Sequence, residues 1–382
     1  MRDFVMTSDS VTAGHPDKLC DRISDAVVDA WLCHGLRAGV AAECAVASGV
    51  VFLSVRSGAG APVDPAAIAR KVVAEAGYGD DAEDGDAPTV VLEMREDDTL
   101  SPDRVTEAVS RHMVTAFGYA VAGAPAAMPA PIEAAHRITA ALDAARKDGR
   151  LPWLSPDAQA QVAVRHADRR AAEVTAIALN VALAEAMSHA TVREALEAEI
   201  VGPALDGLGV GRMRDMRFSL TVHPGRGGPS AHSGLTGRKT GDDTYGAFIR
   251  HGGSALSGKD PSRVDRIAAY AARHAARAVT AAGLARECEV QLSYMPGDSA
   301  PHDLEVDSHG SGALPDAEIA RRLARAIDFR VGAIQERFGL WELPGRHDGS
   351  FYQRLAAHGH MGRERLGAPW EDTDAAASLA RG

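Results

Sequence analysis

Residues 17–33, DKLCDRISDAVVDAWLC, set Leu19, Ile23, Val27 and Trp31 four apart, with Asp21, Asp25 and Asp29 four apart on another face. At the period of an α-helix this is an apolar stripe beside an acidic line, so the segment reads as an amphipathic helix. Pro16 suits the first helical position, where no backbone donor is needed, and that leaves His15 at the N-terminal edge. ECAVASGVVFLSV and TVVLEM read as strands. A helix is expected near 66–76, followed by the polar stretch GYGDDAEDGDAPT. Residues 93–112 read as a loop passing into a short helix, 131–149 as a helix closed by Gly149, and TVREALEAEIVGPAL as another helix. RFSLTVH and CEVQLSYM alternate as strands do. DPSRVDRIAAYAARHAARAVTAAG reads as a helix with Asp260 as N-cap, Pro261 in the first turn and Gly283 as stop. Strands and helices mix without regular βαβ alternation, which favours α+β layers over one doubly wound sheet. After Trp370 a loose tail is expected.

The 382 residues leave room for two or three domains. Hydrophobic residues make up 46% and charged residues 24%, enough apolar side chain for a sizeable core. The net charge of -11 argues against a general nucleic-acid or anionic-membrane binder, which needs a basic face. A polyanionic ligand must therefore meet a local cationic pocket. The N-terminal MRDFVMTSDSVTAGHPDK lacks the apolar run of a signal peptide. The alanine-rich run RIAAYAARHAARAVTAAGLA is interrupted by arginines, so no membrane span is expected. Cys20, Cys33, Cys44 and Cys288 show no C-x-x-C spacing, and buried thiols of a cytoplasmic protein are the expectation.

Four cationic clusters stand at turns. Gly14-His15-Pro16-Asp17-Lys18 opens a helix, where backbone N–H groups and the helix dipole favour an anion. Asp17 is there a hard oxygen ligand suited to Mg²⁺. SAHSGLTGRKTGDDTYG, Ser230–Gly246, holds Arg238 and Lys239 between glycines. RHGGSALSGKDPSRVDR contains Gly253-x4-Gly258-Lys259, but Asp260 replaces the hydroxyl residue of a P-loop and no strand clearly precedes it, so that motif is rejected. Asp168 to Arg170, in ADRR, read alone as a solvated surface turn.

TSDSVTAGHPDKLCDRISDAVVDAWL, MPAPIEAAHRI, LPWLSPDAQAQV, GLTGRKTGDDTYG, RHGGSALSGKDPSRVDRIAAYAAR and GHMGRE run from Thr7 to Glu364. In order and spacing they resemble the S-adenosylmethionine synthetase (methionine adenosyltransferase) family. The resemblance implies three similar α/β domains around a pseudo-threefold axis, here 1–96, 108–229 and 230–370, interleaved in space. It implies a homodimer over flat sheet faces, or a dimer of dimers, with active sites at the interface. The implied reaction joins a nucleophile, methionine by default, to C5′ of ATP and expels tripolyphosphate, which is then hydrolysed to diphosphate and phosphate. A thioether has no proton to lose, so the demand falls on stabilising the charged leaving group. Matched residue by residue, His15 stands near the C5′–O bond. Asp17 and Asp265 match ligands of the two Mg²⁺ ions, and Glu43 that of K⁺. Lys18, Arg238, Lys239 and Lys259 match phosphate contacts, with Arg263 and Arg170 at family lysines. Asp168 lies in the same turn as Arg170. Asp9 replaces a family Glu near the nucleotide, and Met295 a branched residue on adenine. His15, Lys18, Arg170 and Lys259 form the implied catalytic set.

The acceptor side departs from the family. His232, His112 and Arg56 stand where the family has acids around the methionine ammonium, Leu100 where it has Gln, and VHPGRGGP lacks its aromatic residue beside adenine. Leaving an uncompensated buried charge costs about 3–5 kcal/mol, so an unpaired Arg would oppose an ammonium. Three expectations follow: methionine as acceptor; an anionic acceptor giving a 5′-substituted adenosine; or a non-catalytic nucleotide-binding subunit.

Overall fold

A computed structural model describes residues 3–35, 38–60, 63–79 and 88–381. Its strands are β1 (Asp3–Val11), β2 (Val40–Ala47), β3 (Val50–Ser57), β4 (Thr89–Glu96), β5 (Val114–Val121), β6 (Leu154–Ala167), β7 (Arg170–Leu183), β8 (Gly211–Pro224), β9 (Gly234–Leu235), β10 (Glu287–Tyr294) and β11 (Asp303–Asp307). They form three sheets, ordered β1-β6-β7-β8, β4-β3-β2-β9 and β11-β10-β5. One 18-residue helix packs on each: Ala130–Lys147 on the first, Pro16–Cys33 on the second and Val264–Ala281 on the third. The sheets cut across chain order, since β1 pairs with β6, and β9 with β2. One core runs through the second and third sheets with their helices; another lies between the first sheet and Ala130–Lys147. ECAVASGVVFLSV is a hairpin, turning at Ser48 and Gly49, both at positive φ.

Several expectations need correction. The long helix near residue 260 starts at Val264, not after Asp260. Asp260 is spent instead on the Val40 and Ser262 N–H groups, at 2.6 Å each, which ties this turn to β2. TVREALEAEIVGPAL is a helix over His189–Leu196 that widens into a π turn and a short final turn. The segment after Trp370 is packed, not loose. Trp370 is fully buried and stacks on Tyr270 at 3.6 Å, Glu371 holds the buried Arg273, and Leu379 of the last helix is buried. Cys33 is exposed, while the other three thiols are buried. Most of GYGDDAEDGDAPT lies outside the described residues.

The acidic line of Pro16–Cys33 does not face water. Asp21, Asp25 and Asp29 are all buried. Asp21 accepts from Gly237 N–H at 2.7 Å, Asp25 from Gly258 N–H at 2.8 Å, and Asp29 from the Tyr352 and Gln353 N–H groups at 3.0 and 2.9 Å. Each carboxylate thus pins a distant loop to one helix, satisfying backbone donors that would otherwise be buried unpaired. Two of those loops carry the cationic clusters.

Candidate active site

Gly234 brings β9 across the start of Pro16–Cys33. A Cβ there would come within 2.2 Å of Pro16 backbone atoms, so only glycine permits the crossing. Leu235 N–H then reaches Asp17 Oδ1 at 3.0 Å, and the following turn delivers Arg238 Nε to the same oxygen at 2.9 Å and Lys239 Nζ to Oδ2 at 3.5 Å. Asp17 is fully buried, and its Oδ2 has no hydrogen-bond partner among the described residues. A buried carboxylate with an open oxygen between two cations is a donor suited to a hard divalent ion.

His15 caps the helix. Its Nδ1 accepts from Asp17 N–H at 3.2 Å, so the neutral ring carries its proton on Nε2. Burial pushes its pKa down to about 4, so the ring is neutral near pH 7. The ring meets His232 edge-on at 5.1 Å. His232 Nε2 lies 2.6 Å from Asp157 Oδ2. The hydrogen bond to Asp157 raises the His232 pKa against burial. Burial would raise Asp157 in turn, but His232 and the Gly228 N–H outweigh it and hold Asp157 below the usual range. His15, Asp157 and His232 line a cavity of about 520 Å³, together with Gln159, Asn180 and His223.

A second cavity, of about 430 Å³, gathers Glu43, Arg56, His112, Lys259, Arg263 and Asp265. Gly258 shapes one wall: at φ +78° it approaches Ala42 O so closely that a Cβ would sit 1.9 Å away. Lys259 Nζ then meets Asp265 Oδ1 at 3.1 Å, and this ammonium outweighs burial to hold Asp265 below the usual carboxylate range. Arg263 Nη1 donates to His112 Nε2 at 2.5 Å, and burial with that guanidinium depresses the His112 pKa. Arg56 lies 3.9 Å from Glu43 and 3.7 Å from Asp97.

The residues expected to surround one acceptor are therefore divided in this chain: His232 in the first cavity, Arg56 and His112 in the second. Leu100 reaches neither; it is fully buried against Gly39 and Gly58. Lys18 is also fully buried, held by Asp21 and Asp243, and is not placed to touch a phosphate. Asp168 and Arg170 sit exposed at the β6–β7 turn, where Asp168 has φ +50°, and Arg170 borders a third cavity with Tyr119, His166 and Phe248. Met295 is exposed after β10. Asp9 on β1 accepts from Gln159 Nε2 at 3.3 Å, beside the first cavity. Sequence reasoning missed Asp157, although it lies within the quoted LPWLSPDAQAQV. Its signal was a carboxylate in a specific motif, but its partner His232 is 75 residues away.

Two buried aspartates, Asp21 and Asp25, staple the cationic loops to one helix, beside two cavities lined by cations and acids, an arrangement suited to a polyanion. The chain matches the S-adenosylmethionine synthetase N-terminal domain over residues 3–97, the central domain over 107–225 and the C-terminal domain over 226–372. It belongs to the S-adenosylmethionine synthetase family, whose fold is three similar α/β domains around a pseudo-threefold axis. S-adenosylmethionine synthases from Synechococcus sp. (strain JA-3-3Ab) and Prochlorococcus marinus (strain MIT 9313) are each 40% identical to it, covering 98% and 99% of this chain and 97% of each relative. The S-adenosylmethionine synthase of Crocosphaera subtropica is 38% identical over 99% of this chain and 97% of its own length. No helix among the described residues is long and apolar enough to cross a membrane.

Proposed function

We propose that this chain is an ATP-dependent adenosyltransferase of one-carbon metabolism, with methionine as the default acceptor and S-adenosylmethionine as product. The observation that carries the reading is Asp17, a fully buried carboxylate with an open oxygen, set between Arg238 and Lys239 and two residues from His15. In this reading the triphosphate lies over Arg238, Lys239, Lys259 and Arg263, and the His15 Nε2–H donates to the oxygen leaving C5′. A neutral donor suits that task, because it stabilises developing charge without holding the product phosphate as an ion pair. Asp17 and Asp265 would hold Mg²⁺, which supplies charge neutralisation for the leaving tripolyphosphate. Glu43 fits K⁺ less well, since its carboxylate already faces the Arg56 guanidinium at 3.9 Å.

In this reading Asp9 acts beside the first cavity of its own chain, and Asp168, Arg170 and Met295 act from a second copy. Leu235, Ala45, Phe52 and Val91 stand in register across all four strands of the second sheet, on its outer face. Leu235, Phe52 and Val91 are each 48% exposed, an apolar band suited to packing face to face. The domain division 1–96, 108–229 and 230–370 follows the same reading. The four free thiols suit a cytoplasmic location.

Incubation with ATP, methionine, Mg²⁺ and K⁺ is expected to yield S-adenosylmethionine, diphosphate and phosphate. Absence of S-adenosylmethionine above background removes methionine as acceptor. The second reading keeps transfer to C5′ but gives it an anionic acceptor. It is favoured by the cationic and neutral side chains Arg56, His112 and His232 at acceptor positions. Its product is a 5′-substituted adenosine, seen by mass spectrometry. Acceptor preference unchanged in the triple variant Arg56→Glu, His112→Asp, His232→Asp rejects it. Failure to release phosphate under any condition would leave a non-catalytic, nucleotide-binding subunit.

A further inference from the structure

Glu43 and Arg56 stand on one hairpin. Ala41 of β2 is the register partner of Arg56 on β3, which puts Glu43 one diagonal step away on the same, outer face of the sheet. The guanidinium divides its two ends between two carboxylates. Nη2 lies 3.9 Å from Glu43 Oε1, and Nη1 lies 3.7 Å from Asp97 Oδ2. Asp97, just past the end of β4, is fixed in turn. Its N–H donates to Ser57 O at 2.8 Å, and its Oδ1 accepts the Thr99 N–H and hydroxyl at 3.0 and 2.5 Å, which leaves Oδ2 for Arg56.

Matching to the family puts a K⁺ ligand at Glu43, and the cavity around it does not suit one. Arg56, Lys259 and Arg263 line that cavity against Glu43 and Asp265, three cations to two carboxylates, and Lys259 already meets Asp265 at 3.1 Å. A monovalent ion seated on Glu43 would share the carboxylate with a guanidinium and be repelled by it. The carboxylate still needs a counter-charge. It lies on the face that carries Phe52 and the apolar band, and in a face-to-face pair of chains it would be shut off from water. A carboxylate taken out of water unpaired is costly. A guanidinium meets that need permanently, because it does not deprotonate and is more weakly hydrated than an ammonium.

We infer that Arg56 is a tethered cation that takes the place of K⁺ at Glu43, so that this chain turns over without a monovalent metal ion. The inference rests on the adenosyltransferase reading above and gives that site its own cation requirement.

The wild type and Arg56→Ala are compared in buffers of equal ionic strength holding either K⁺ or tetramethylammonium, with Mg²⁺ throughout. Two reactions are followed: phosphate release from ATP with methionine, and hydrolysis of added tripolyphosphate. The second needs no acceptor, so it is blind to any effect of Arg56 on acceptor binding. K⁺ should change the wild-type rates by less than about twofold, while Arg56→Ala should gain about tenfold, within the usual range of coupling between a bound ligand and a site. Arg56→Gln, which keeps a polar side chain without the charge, should gain as Arg56→Ala does, which separates charge from packing. The double variant Arg56→Ala, Glu43→Gln should lose the gain. Thallium(I) NMR reads binding without turnover: K⁺-displaceable line broadening is expected with either single variant and not with the wild type or the double variant. Stimulation of the wild type beyond twofold, single variants that gain nothing, or a gain that survives Glu43→Gln overturns the inference and spares the adenosyltransferase reading. No product in any salt removes that reading, and the thallium signal then decides the inference alone: displaceable binding to the wild type, or none to the single variants, overturns it.

Discussion

The two cavities hold charge in different ways. In the first, the Asp157 side chain, 11% exposed, holds His232, and the His15 side chain, also 11% exposed, is held by the Asp17 N–H at the helix end. In the second, Arg56 and Glu43 lie on neighbouring strands, at 44% and 73% side-chain exposure, and meet at 3.9 Å. Burial makes the first arrangement directional and costly to disturb, whereas water screens the second. The contrast also corrects the picture of a simple sign reversal around the acceptor. Each substituted cationic group has a local counterpart: Asp157 for His232, Glu43 and Asp97 for Arg56, while His112 acts as a neutral acceptor for Arg263.

The largest effect should come from the staple that ties the cavities to one helix. Asp25→Ala leaves the fully buried Arg266 without its carboxylate and frees Gly258 N–H, so stability should fall by about 3–5 kcal/mol in chemical denaturation. Next, His15→Ala removes a preorganised donor and should lower kcat for phosphate release about 10²–10³-fold with little change in the unfolding midpoint. His15→Asn, which keeps an N–H donor, should recover part of that loss. If both variants are equally inactive, the donor role fails.

A smaller effect concerns pH. Asp157 has a lowered pKa in the fold, so its share of stability is present above the unfolded carboxylate pKa and is lost as pH falls. His232 is raised, so its share is present below the unfolded imidazole pKa and is lost as pH rises through the folded value. The Tm difference between wild type and His232→Asn should therefore peak between the two titrations and shrink on both sides. A flat difference would mean that the pair does not form. The smallest effect belongs to the open cavity. Arg56→Ala should change stability by less than about 1 kcal/mol. By removing the guanidinium that faces Glu43 it should increase the response of phosphate release to K⁺ relative to Na⁺. An unchanged cation response would place the ion elsewhere.

Much of the secondary structure was legible because its signals are local. Pro16 at a helix start and the apolar spacing from Leu19 to Trp31 act within a few residues. The Asp260 cap failed for the opposite reason: the same side chain had a better use in holding the Val40 N–H, 220 positions away. The Asp21-Asp25-Asp29 line read as a polar face, since periodicity reports where acids align and not what covers them. Lys18 and Leu100 were assigned to ligands by position in a motif, yet both are core residues once the aspartates and glycines around them are packed.

By itself the sequence determined the α+β class, the family, and the roster of cations, acids and glycines available for a polyanion. Those depend on residue order and short-range spacing, which a chain carries before it folds. Tertiary structure alone decided which of those groups have partners. It put Asp157 behind His232, left one oxygen of Asp17 open, and buried Lys18 away from either cavity. Pairing depends on distance and dielectric between segments far apart in the chain, and those exist only once the sheets have closed around them.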